Sequence, residues 1–91
     1  MTSQNNTLYE TAKFYKDKKQ AVHIWLIERL ANGKQKYRRG LIKSINEDSK
    51  DRLVLVEEEY GEMLLFFDRI DSERDGGIVP REIKGVEDGR D

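Results

Sequence analysis

Residues 32–48 read NGKQKYRRGLIKSINED, and this stretch decides the fold. Asn32-Gly33 is a turn dipeptide, since these two residues supply the positive φ values of a type I′ hairpin turn. From Tyr37 to Ile45 the chain then reads as a returning strand, interrupted by Gly40. Glycine weakens a strand interior unless something requires the missing Cβ. Gly40 shares one strand face with Ile42 and Ser44, opposite Leu41 and Ile45. A sharply bent strand has no room for a side chain on its concave side, so Gly40 is expected at a corner of a small barrel.

Working outward, AVHIWLIERL (21–30) alternates Val22, Ile24 and Leu26 with His23, Trp25 and Ile27, a strand covered on both faces. On the far side, Glu47 to Asp51 is a polar turn and Arg52 to Val56 a third strand. Glu59-Tyr60-Gly61-Glu62 makes another turn, and Met63 to Ile70 a fourth strand. After a loop from Asp71 to Gly77, a short fifth strand spans Ile78 to Ile83, with Pro80 suited to an edge. Upstream, Thr7-Leu8-Tyr9-Glu10 has the spacing of a capping box, and Leu8, Ala12 and Tyr15 recur at helical spacing. The expected organisation is a disordered segment 1–6, one domain over 7–83 with its helix at about 7–19 and barrel at about 20–83, and a flexible tail 84–91. The fold class is mainly β: a helix followed by a five-stranded, strongly bent antiparallel small barrel.

The 91 residues are 36% apolar and 38% charged, enough for a modest core that self-assembly would reinforce. There is no cysteine, which excludes disulfides and thiolate metal sites. No apolar run approaches membrane-spanning length and the first residues lack a basic-then-apolar leader pattern, so the expectation is a soluble cytoplasmic protein without membrane contact. Charge is segregated: Lys13 to Lys43 holds ten Lys or Arg against two acids, and Ser44 to Asp91 holds seven against fifteen. The basic half suits phosphates and the acidic half is a candidate surface for a protein partner. His23 is the only histidine, and no nucleophile pattern, phosphate-cradling glycine loop or metal-ligand cluster occurs. The expectation is therefore a non-enzyme needing no cofactor.

The order of helix, strand, Asn-Gly turn, glycine-bent strand, two strands and short last strand resembles the Sm-like family, and within it the bacterial Hfq branch. The residues carrying the resemblance are His23-Ile24-Trp25-Leu26, Asn32-Gly33, Gly40 to Asn46, Leu53 to Val56, Met63, Ile70 and Ile78-Val79-Pro80. Glu28 to Ala31 lengthen the first hairpin, and Phe66-Phe67-Asp68 stands where Hfq has Tyr-Lys-His.

The resemblance implies a ring of six or seven subunits, closed by the fourth strand of one pairing with the fifth of the next. It also implies single-stranded RNA as ligand, in a scaffold or chaperone role. Three surfaces follow from it. A pore side would use Asn46, Arg52, Phe67 and Arg69; a distal face would use Trp25 as a stacking ring beside Asn32, Gly33 and Lys34. A rim would use Lys16, Lys18 and Lys19 with Arg38 and Arg39. Basic side chains would neutralise phosphates, and aromatic rings would stack bases. The competing expectation is a monomeric SH3-like or Tudor-like protein-interaction module. Its aromatic groove would come from Trp25, Tyr37, Tyr60 and Phe67.

Overall fold

The computed structural model describes residues 3–81. Helix α1 (Ser3–Asp17) precedes strands β1 (Val22–Arg29), β2 (Gln35–Ile45), β3 (Arg52–Glu57) and β4 (Gly61–Phe66). A 3-10 turn (Phe67–Arg69) and strand β5 (Ile78–Pro80) follow. All pairings are antiparallel and the sheet order is β4-β3-β2-β1-β5.

The long strand β2 is shared between two neighbours. Its first half pairs with β1 and its second half with β3, and Gly40 is the pivot, facing Val22 on one side and Glu57 on the other. A Cβ on Gly40 would lie 2.0 Å from the Val56 carbonyl oxygen. No side chain fits there, so the corner depends on glycine.

The bent sheet stays open, which corrects the expected barrel. β5 is only three residues long and lies against β1, so β4 and β5 end as opposite edges of the sheet. Beyond β4 the chain crosses back to β1 through one bridge, Leu26 to Ile70, and an Asp71 N–H to Trp25 carbonyl bond of 2.8 Å.

Helix α1 fills the concave side. Leu8, Tyr9 and Ala12 are buried against Val22, Ile24, Ile42, Leu55 and Phe67 in one hydrophobic cluster. Burying a leucine such as Leu8 contributes roughly 1.5–3 kcal/mol. The helix begins at Ser3 rather than at a Thr7 cap, so Thr7 lies inside it and residues 3–6 are helical. Polar residues from Ser3 to Asn6 carry no apolar period that could announce this turn. Beyond the other end, Lys19 adopts a left-handed φ of 55° and the Gln20 N–H bonds back to the Tyr15 carbonyl at 3.0 Å. That ending is usual for glycine.

Three boundaries also differ from expectation. The first hairpin is not a two-residue type I′ turn, because among its residues only Gly33 has a positive φ, 87°. β1 bulges, with Leu26, Ile27 and Glu28 placed between the register pairs Trp25–Tyr37 and Arg29–Gln35, and a longer Leu30–Lys34 loop closes the hairpin. β4 stops at Phe66 because Phe67 turns inward, its N–H bonded to the Asp51 carbonyl at 2.8 Å. β5 ends at Pro80; its expected extension to Ile83, the tail 84–91 and residues 1–2 lie outside the described residues. No described helix is long and apolar enough to cross a membrane.

Candidate functional site

The site is built on the convex face of β2, β3 and β4, where strand alternation lines up Ser44, Val54 and Leu64 in one row and Arg52 with Phe66 in the next. A groove of about 220 Å³ runs across these rows, with Ser44, Asn46 and Arg52 at its rim and Val54 and Leu64 in its wall. Leu64 and Phe66 remain 51% and 39% exposed, unusual for large apolar side chains.

Asn46 is held by the turn it begins. Its backbone N–H donates to the Arg52 carbonyl at 3.0 Å, and its Oδ1 accepts from the N–H groups of Asp48 (3.0 Å) and Ser49 (2.8 Å). Asparagine commonly closes a turn this way. With the oxygen occupied, the Nδ2 amino group is the end that can donate to a ligand.

Arg52 is fixed from two sides. Its Nε and Nη2 donate to Asp51 at 2.9 and 3.2 Å, and its guanidinium lies 5.0 Å from the Phe66 ring centroid. The Arg52 hydrogen bond, followed by the Ser49 hydroxyl, holds the Asp51 carboxyl below its ordinary pKa. The same pairing raises Arg52. The result is a guanidinium stacked on an aromatic ring, an oriented amide donor and an apolar wall. A flat, acceptor-rich ring such as a nucleobase fits that chemistry, stacking on the apolar side and accepting from the rim.

Of the pore-side set, the structure brings Asn46 and Arg52 together. Phe67 is 1% exposed and packs in the core, so it cannot stack a base. The exposed ring beside Arg52 is Phe66, its register partner on β4, because adjacent strand residues face opposite ways. Arg69 lines a different groove of about 290 Å³ with Arg38, Glu28 and Met63, and is ion-paired to Glu28.

The distal set does not assemble as a surface. Trp25 is 1% exposed, with its ring 4.2 Å from His23 and under the Arg74 guanidinium at 3.5 Å. Tyr37 stacks on His23 at 4.5 Å, and the Arg39 Nε donates to the His23 Nδ1 at 3.0 Å. The loop after the 3-10 turn roofs this cluster: Gln35 donates to the Leu26 carbonyl (2.7 Å) and Asp71 (2.8 Å) and accepts from Arg74 (2.7 Å). Trp25 is thus core, while Asn32, Gly33 and Lys34 are exposed in the hairpin loop.

The rim set is divided too. Lys16, Lys18 and Lys19 sit at the helix end, whereas Arg38 and Arg39 point to opposite faces of β2, beside Ile24 and His23 respectively. Comparison with protein-family models, curated proteins and solved structures finds no significant match to the chain.

Sequence reasoning missed Phe66, Leu64 and Ser44. Their shared signal is spacing: Leu64 and Phe66 are two apart, as are Arg52 and Val54 on the facing strand.

Proposed function

We propose that the chain binds single-stranded RNA and assembles, as Sm-like proteins do, into a ring of six or seven subunits that serves as an RNA scaffold or chaperone. The observation that carries this reading is the open sheet. Among the described residues it ends in β4, which exposes Leu64 and Phe66 and has no strand along its outer edge, and on the opposite side in the short edge strand β5. An apolar edge of that kind associates with another strand unless something covers it. Two unlike edges on one subunit favour head-to-tail contacts, which close into a ring when the rotation between successive copies closes. The groove at Asn46 and Arg52 is then repeated around the ring, and several weak contacts to one strand multiply.

The native mass of the purified protein at low micromolar concentration tests this first. A single species at six or seven times the chain mass is expected, and a monomer overturns the ring. RNA affinity is then expected to fall linearly in log–log form with salt, because bound cations release counterions from the phosphates. The monomeric interaction module gains less support: Trp25, Tyr37 and Phe67 of its groove are all buried, leaving Tyr60 exposed at a turn.

A further inference from the structure

His23 is the chain's only histidine and Trp25 its only tryptophan, and the fold buries them side by side. The His23 ring lies 4.2 Å from Trp25 and stacks on Tyr37 at 4.5 Å. Its Nδ1 accepts from the Arg39 Nε at 3.0 Å. A ring nitrogen that accepts carries no proton, so the imidazole is neutral in this arrangement.

The elements packed around the ring bring charges of both signs. From β2 come Arg39 and Tyr37, and from the 71–77 loop comes Arg74, its guanidinium 3.5 Å from the Trp25 ring centroid. The carboxylates nearby hold backbone and amide groups. Asp71 accepts from Gln35 and from the Glu73 N–H, and Glu57 of β3 accepts from the N–H groups of Arg39, Glu59 and Tyr60. β5 presents the uncharged Val79, the register partner of His23.

The cover over the pair, Asp71 to Gly77, contains no apolar side chain. It is held by the Gln35 bonds to Asp71 and Arg74, by the Arg74–Trp25 contact and by one backbone bond at each end. Those are Asp71 N–H to the Trp25 carbonyl at 2.8 Å and Trp25 N–H to the Gly77 carbonyl at 2.9 Å. A segment held by polar contacts, with no apolar burial of its own, belongs to the part of a fold that opens first.

We propose that this loop is an acid-opened lid and that His23 is its trigger. A proton on Nδ1 ends the Arg39 hydrogen bond and leaves an imidazolium buried against one guanidinium, one ring away from the second. Lifting the loop removes the conflict: Arg74 leaves the Trp25 ring, and water reaches His23. The open form binds a proton that the closed form excludes. The closed form is therefore whole above about pH 6.5, the value for a solvated histidine, and the open share grows about tenfold per pH unit below it. The same step loosens β5, which starts at the residue after Gly77 and pairs with β1 at His23. The lid depends on neither RNA binding nor a ring.

The buried pair is its own reporter. Acrylamide quenching of Trp25 fluorescence, read from about pH 8 to about pH 5, tests the lid. The accessible fraction of Trp25 should rise as pH falls below about 6.5 while far-UV circular dichroism stays constant. His23→Gln cannot take up the proton and should abolish the rise. NMR of the parent serves where that variant does not fold: the His23 ring and the Trp25 indole N–H should titrate together. A Trp25 that stays shielded while His23 takes up its proton overturns the lid. So does a rise that persists in His23→Gln, which assigns it to carboxylates, and so does one that coincides with loss of circular dichroism, which is global unfolding.

Discussion

The two halves of β2 end in opposite environments, and only the second is bulged, between Ile42 and Ser44, which turns Ser44 away from the face expected to hold Gly40 and Ile42. Before Gly40, the outward residues Gln35 and Tyr37 are buried beneath the 71–77 loop, sharing that cover with His23 and Trp25. After it, outward Leu41 is 47% exposed and Lys43 and Ser44 are exposed beside it. Nothing within the strand sets this difference. A loop arriving from far along the chain turns one half into a second small core and leaves the other half as surface. Residue type alone does not separate a binding aromatic from a packing one; the path of a distant segment does.

The largest expected effect breaks the roofed half. Trp25→Ala should cost about 3–5 kcal/mol in urea unfolding, the usual range for deleting a buried large aromatic. A loss below about 1 kcal/mol would mean that the cover is not a core at all. Gly40→Ala acts at the pivot and should cost about 1–3 kcal/mol, since β3 or β2 must shift to admit the methyl. Melting temperatures of the two proteins would check it.

The bare half should respond in the reverse sense. Leu64→Ser with Phe66→Ser is expected to leave unfolding within about 0.5 kcal/mol per site, as exposed substitutions usually do, while native mass falls toward the monomer. Unchanged mass would detach the exposed stripe from assembly.

The smallest effect concerns Tyr9, outside both halves, whose hydroxyl donates to Glu47 at the turn after β2. That hydrogen bond, with desolvation next, pushes its pKa up to about 12. A pKa raised on folding gives stability that is whole below the unfolded value of about 10 and lost as pH rises through about 12. Tyr9→Phe should remove that part of the alkaline decline, visible as parent and variant stability curves that converge between those limits. Parallel curves would assign the decline to other groups.

Much of the fold was legible because its signals are local. The helix, five strands and the requirement at Gly40 all follow from period and residue type within short windows. Asn46 and Arg52 enter only through the family resemblance, which sets them on either side of the Glu47 to Asp51 turn. Trp25 was misread because its burial depends on Asp71 and Arg74, from a polar loop that carries no alternation of its own. Phe66 and Phe67 were exchanged for a different reason. In LLFF every residue is apolar, so the sequence does not say which of the two rings faces the core and which faces out.

One feature of the topology bears on how the molecule is made. β1 to β4 pair in order along the chain, but β5 returns to β1 through Val22–Pro80, a partner more than fifty residues away. Near neighbours close first, because a longer loop costs more entropy to close. The last strand is therefore expected to dock after the rest, and its three-residue register gives it the weakest hold. Until it docks, the outer edge of β1 that it later covers is bare as well as β4. Any head-to-tail pairing through β5 is therefore expected only from copies whose last strand has already docked.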